Sequence, residues 1–224
     1  MPKNKTSGAA RDSVARPVRR TALGRDAWIQ AARNSLIKQG IDSVQVGKLA
    51  RQLRATRGGF YWFFDSRQQL LDVLLADWAT GNTSAWDAVL LERGRNGVRE
   101  FMDLVDMWVQ EKQFDPQWDA AVREWARTVP KVAATVRRVD DHRIDILKRV
   151  FIDMGYDEER AFIRARVTYF HQVGYYTLGV KEPTRRRLAL LPLYIEILAG
   201  TTAAAEWIAS THPDSLATTA EESR

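Results

Sequence analysis

The chain has 224 residues, 45% of them hydrophobic and 28% charged, with 34 Lys plus Arg set against 28 Asp plus Glu for a formal net charge of +6. This is ordinary globular composition, which excludes wholesale disorder and can close one large core or two small ones. With no cysteine there is no disulfide framework, thiolate nucleophile or zinc ribbon, and the three scattered histidines (His142, His171, His212) make a metal site unexpected.

No metal and no cofactor are therefore expected. The basic start lacks the apolar run of a signal peptide, and nowhere do about 18 apolar residues follow one another. A soluble, cytoplasmic protein without membrane contact is the expectation.

The charge is uneven. Residues 1–23 carry six basic side chains against Asp12, and residues 24–67 carry eight against Asp26, Asp42 and Asp65, so each segment holds +5. The remaining 157 residues hold −4. A positive N-terminal third points to a polyanion, most simply double-stranded DNA, because neutralised phosphates release counterions whatever the base sequence.

In chain order, residues 1–23 mix Lys, Arg, Ser, Gly and Pro and predict a disordered basic arm. From Arg25, the residues Trp28, Ile29, Ala32, Leu36 and Ile37 recur at helical spacing and predict a helix ending at Gly40. A second helix is expected from Ser43 or Val44 to Leu53, carrying Val46, Leu49, Ala50 and Leu53. Arg54-Ala55-Thr56 then forms a turn, with Thr56 capping a third helix over 57–64. Ser66-Arg67-Gln68-Gln69 has the form of a capping box opening a fourth, linking helix over about 66–80. Two short helices around a three-residue turn make a helix-turn-helix.

Adjacent Gly58 and Gly59 inside the third helix cost about 1 kcal/mol each relative to Ala, so a close backbone approach to another surface is one account of them. Phe60 and Phe64, four apart, are expected to face the core. Tyr61 falls on another face, where a phenol suits a phosphate oxygen, and Trp62 is placed to touch a sugar or a thymine methyl. Arg57 is the best candidate for reading a base, since its fork matches the O6 and N7 acceptors of guanine. Gln45 and Lys48 are expected at phosphates or flanks.

These residues resemble the N-terminal domain of TetR-family transcriptional regulators. The resemblance runs from Arg25 to about Leu75: Arg25, Ala31-Ala32 and Gly40, then Leu49-Ala50, then Thr56-Arg57-Gly58-Gly59-Phe60-Tyr61-Trp62-Phe63-Phe64 with Ser66-Arg67 and Leu70-Leu71. It implies a third helix in the major groove, Tyr61 and Arg67 as phosphate contacts, and Thr56, Arg57, Gly58 and Gly59 at the groove-facing turn of a homodimer. Three departures stand out. Arg54 replaces a usual glycine and must turn left-handed, Phe63 replaces a usual histidine, and Val44-Gln45 replaces a Thr or Ser pair early in the second helix.

The remainder reads as helix: about 97–112, 116–127, 130–154, 158–178 and a group within 184–210 in which Pro192 marks a start or kink. The expected organisation is all-α. An N-terminal three-helix DNA-binding domain (24–70) precedes a larger C-terminal helical domain for effector binding and dimerisation (71–210), and a flexible tail follows (211–224).

The C-terminal tryptophans either fill a core or line a cavity. Trp108, Trp118 and Trp125, with Tyr169 and Phe170, are the candidates for a pocket, whereas His171 is expected to be structural. Stripes at Phe162, Ala165, Tyr169, Val173 and at Leu193, Ile197, Ala204, Ile208 suggest a four-helix dimer interface. No enzyme constellation is present. The expectation is a ligand-responsive regulator, a repressor released from a palindromic operator by a small apolar or aromatic effector. A ligand-insensitive architectural DNA binder is the alternative.

Overall fold

In a computed structural model, the residues described are 24–91, 96–111 and 115–211. The expected arm of residues 1–23 and the tail beyond residue 211 lie outside them. Among the described residues every regular element is helical: α1 (Arg25–Gln39), a 3₁₀ turn (Ile41–Ser43), α2 (Val46–Gln52), α3 (Arg57–Tyr61), α4 (Arg67–Leu91), α5 (Gly97–Gln110), α6 (Pro116–Ala126), α7 (Pro130–Asp153), α8 (Glu158–Thr177), α9 (Thr184–Ala199) and α10 (Thr201–Thr211). None of the described helices is long and apolar enough to cross a membrane.

Local chemistry sets the boundaries. Gly40, at φ 76°, ends α1 as its sequence predicts. The second helix is shorter than expected. Ser43 donates its hydroxyl to the carbonyls of Ser35 and Gly40, which closes a 3₁₀ turn in place of the first α-helical turn. Arg54 does adopt a left-handed conformation, at φ 51°, at a cost of roughly 1–2 kcal/mol for a residue with a Cβ. Asn96, Asp115 and Asp157 cap α5, α6 and α8 through their side-chain oxygens, and Pro116 occupies the first turn of α6. At the end of the chain, the break falls at Gly200 (φ 99°) and not at Pro192, which sits inside α9. Burial of Leu191 and Ile195 on either side holds the helix through the proline.

Two apolar cores lie along the molecule. One gathers Trp28, Ala32 and Leu36 of α1, Leu49 of α2, Phe60 of α3, Phe64, and Leu70 to Trp78 of α4. It is closed by Trp118, Val122 and Trp125 of α6 and by Val132, Val136 and Val139 of α7. The other gathers Trp86, α5, the second half of α7, and α8 to α10. The 25-residue α4 and 24-residue α7 run through both cores, each about 36 Å long at 1.5 Å per residue.

Candidate nucleic-acid interface and ligand pocket

The outer surface of α2, α3 and the turn between them is polar, basic and aromatic. Thr56 caps α3 by accepting the Gly59 amide at 3.1 Å, which fixes the start of a five-residue helix otherwise too short to persist. Phe60 and Phe64 anchor it from below, at 0% and 1% exposure, with Phe60 edge-on to Trp28 at 5.3 Å and stacked on Phe64 at 5.2 Å. Tyr61 and Trp62 are left facing solvent at 57% and 84%, and among the described residues Trp62 is the most exposed large apolar side chain. Gln45, Lys48, Arg57 and Gly58 are exposed beside them.

The glycine pair is not demanded by the chain's own packing. A Cβ on Gly58 or Gly59 would meet only the Thr56 hydroxyl, at 3.8 and 3.6 Å. The Gln45 amide turns back to donate to the Asp42 carbonyl at 2.8 Å.

Arg67, expected at a phosphate, is also engaged within the chain. Its side chain is half-buried, and it donates from Nε to the Val44 carbonyl at 2.5 Å and from Nη2 to that of Ile41 at 3.0 Å. Two of its five donors are thereby fixed on the 3₁₀ turn that leads into α2. The capping box at the start of α4 is also modified. The Gln69 amide donates to the Ser66 hydroxyl as expected, but the Gln69 side chain pairs with Asp65.

A second feature lies between α5, α8 and α9: a cleft with about 60 Å³ of internal space, bounded by Phe101, Val105 and Trp108, by Thr168 and Gln172, and by Leu191 and Ile195. His171, Tyr175 and Tyr194 stand around it, with the His171 ring 5.1 Å from that of Tyr194. Of the five side chains expected at a pocket only Trp108 is at this one.

Trp118 and Trp125 are buried in the N-terminal core, because α6 packs on α1. Phe170 points to solvent at 51%. Tyr169 is buried, but its ring faces Trp86 and its hydroxyl faces a charge network. His171, expected to be structural, also borders the cleft. Thr168 and Gln172 were missed. The available signal was a pair of polar residues four apart on the stripe Ala161, Ala165, Tyr169, which carries α8 into the core.

Between the two cores, Arg123 of α6 binds Asp140 of α7 through two nitrogens, at 2.9 and 2.7 Å, and Asp119 at 2.6 Å. Tyr169 of α8 donates to Asp140 at 2.6 Å, and the buried Arg143 lies over Trp86 and 3.6 Å from Asp119. Two arginines thus face two aspartates, so the charges cancel. Burial alone would lower the Arg123 pKa, but the Asp140 hydrogen bond and the neighbouring Asp119 reverse this and hold the guanidinium protonated. Burial pushes the Tyr169 phenol up to about 12.

Residues 29–74 match the family model described as bacterial regulatory proteins, tetR family. Solved structures share the fold at low identity. A tetR-family regulatory protein from Rhodococcus RHA1 aligns with TM-score 0.62 and 13% identity over 81% of this chain and 96% of its own. The fatty acid degradation regulator FadR of Bacillus halodurans aligns with TM-score 0.57 and 16% identity, over 78% of this chain and 94% of its own. A TetR transcriptional regulator of Legionella pneumophila aligns with TM-score 0.56 and 13% identity, over 68% and 84%. No curated protein matches the chain. Residues 29–74 thus carry a domain that matches the tetR family model, and the chain as a whole shares the fold of solved tetR-family regulators.

Proposed function

We propose that the protein is a ligand-responsive transcriptional repressor that binds a palindromic operator as a homodimer. The observation that carries the reading is the α3 surface: a helix capped by Thr56, anchored on Phe60 and Phe64, and presenting Arg57, Tyr61 and Trp62 outward. Gly58 and Gly59 support it, since among the described residues no side chain beyond Thr56 crowds them and the requirement for glycine falls on an outside surface approaching the backbone. In this reading Arg57 reads a base edge, Tyr61, Lys48 and Gln45 meet phosphates, and Trp62 packs on sugar or a thymine methyl. Arg67 holds the turn before α2 and so positions the reading unit.

One five-residue helix reads few base pairs, so specificity requires two half-sites about 34–36 Å apart or a multiple of that. The second copy is accommodated on the outer face of α8 and α9. The exposed α8 residues are Phe162, Ile163, Val167 and Phe170, joined by Leu193 and Ile197 of α9. Phe162, Leu193 and Ile197 of the expected stripes remain in this set, whereas Ala165, Tyr169 and Ala204 are buried within the subunit and Val173 and Ile208 pack against its core. Contiguous exposed apolar surface of this kind marks an interface.

The cleft at Trp108 is the effector site, and a ligand that prefers one separation of the two reading helices changes operator affinity by that differential binding energy. Selection of bound sequences from a random DNA pool tests the reading. A two-fold symmetric site with half-sites at that spacing is expected, and uniform coating without sequence preference would make the protein an architectural binder instead.

A further inference from the structure

The cleft between α5, α8 and α9 contains two hydrogen-bonding groups that no described residue satisfies. Thr168 is fully buried and Gln172 is 8% exposed, and neither the Thr168 Oγ1 nor the Gln172 Nε2 has a hydrogen-bond partner among the described residues. The two stand one helical turn apart on one face of α8, and both border the internal space. Leaving buried donors unmatched is costly, so their natural complement is an acceptor arriving from outside.

The charges around the same space are, in contrast, matched. Glu182 pairs with Arg186 at 3.5 Å. Arg187 faces Glu111 at 3.4 Å, donates to the Trp108 carbonyl at 3.2 Å and lies over the Tyr175 ring at 4.9 Å. His171 is held below its ordinary pKa by burial and by Arg187, so its ring is neutral near pH 7. A carboxylate or an ammonium would enter without an uncompensated counter-charge and would lose its hydration.

Resting on the reading of this cleft as the effector site, we propose that the effector is an uncharged, largely apolar molecule with a carbonyl-type hydrogen-bond acceptor. Its acceptor takes hydrogen bonds from Thr168 Oγ1 and Gln172 Nε2, and its apolar body lies against Phe101, Trp108 and Ile195.

Four probes of one shape decide this by titration calorimetry on the full chain: acetophenone, ethylbenzene, benzoate and 1-phenylethylammonium. Acetophenone is expected to bind at least about tenfold more tightly than ethylbenzene, equivalent to about 1.4 kcal/mol, with both ions weaker than acetophenone. Thr168→Val and Gln172→Met are each expected to reduce the acetophenone advantage about threefold or more. Retained ethylbenzene binding in these variants shows that the cleft is intact.

Benzoate binding most tightly, equal affinity for acetophenone and ethylbenzene, an advantage persisting in both variants, or no binding of any probe would overturn the proposal. Operator binding followed in parallel separates it from the ligand-response reading. The expected ranking with unchanged operator affinity leaves the effector class standing and removes the response, whereas release of operator by benzoate does the opposite.

Discussion

The Arg57 guanidinium rests against Gly47: a Cβ on Gly47 would lie 3.0 Å from Arg57 Nη2 and 3.4 Å from its Nε. The proposed base reader is thus oriented by a missing side chain on the neighbouring helix. Gly47→Ala adds up to about 1 kcal/mol of helix preference, and the guanidinium, being the far end of a flexible chain, yields by a few tenths of an ångström. The expected outcome is a melting temperature raised by roughly 2–4 °C with altered base discrimination. Arg57→Ala is expected to relax that discrimination by about 1–3 kcal/mol. Competition binding with operators mutated one pair at a time measures both, and equal discrimination by the Arg57 variant would remove it as the reader.

Arg67 and Lys48 separate positioning from phosphate contact. Arg67→Ala removes the hydrogen bonds to the Val44 and Ile41 carbonyls, a loss of about 1–3 kcal/mol in stability by the usual cost of unmatched buried groups. Lys48 is exposed, and Lys48→Ala is expected to flatten the salt dependence of binding by about one unit at unchanged melting temperature. Denaturation and a salt titration of operator binding on both variants check the split. A stable Arg67→Ala protein that also loses one unit of salt slope would return Arg67 to the phosphates.

Asp115 has two tasks, and its variants distinguish them. Its Oδ1 accepts the Trp118 amide at the start of α6, while its Oδ2 accepts Arg33 of α1 at 2.6 Å. The ion pair is partly exposed and worth about 0.2–1 kcal/mol, and the cap about 0.5–2 kcal/mol. Arg33→Ala is expected to cost less than Asp115→Ala, with the difference equal to the cap. A double-mutant cycle by chemical denaturation gives the pair's share. Because the pair ties α1 to α6, Arg33→Ala is also expected to weaken the effect of a bound ligand on operator affinity without changing ligand affinity.

His171 gives the protein an acid-sensitive contribution. Burial, then Arg187, disfavours its charged form, so its folded pKa lies below 6.5. The unfolded chain then binds that proton more readily. The stability contributed by the neutral ring is complete above about pH 6.5 and is lost as the pH falls from there towards the folded pKa. His171→Gln is expected to shrink the drop in melting temperature between about pH 7.5 and 5.5. An undiminished drop would assign it to other groups.

The reading unit was legible because its signals are local: Gly40 closing α1, Thr56 capping α3, Phe60 and Phe64 four apart, and Arg54 forced left-handed by the turn it occupies. The pocket was not, because it depends on which helix faces which. Trp118 and Trp125 carry the same helical spacing whether α6 lies over α5 or over α1, and only the packing puts them in one core with Trp28 and Leu36. Thr168 and Gln172 carried a weak signal that became informative once α5 and α9 were known to close over them. The internal bonds of Arg67 are not legible either, because a basic residue opening α4 looks the same in sequence whether it faces outward or bonds back to a turn 23 residues earlier.

The closure of the N-terminal core by α6 and α7 bears on modularity. A chimera joined near residue 80, swapping one reading head for another, would leave Trp28 and Leu36 without the cover of Trp118, Val122 and Trp125. The head that can be transplanted is therefore a discontinuous unit, α1 to the middle of α4 together with α6 and the first turns of α7. Grafts that respect only the linear boundary would produce proteins that expose tryptophan surface and aggregate before they meet DNA.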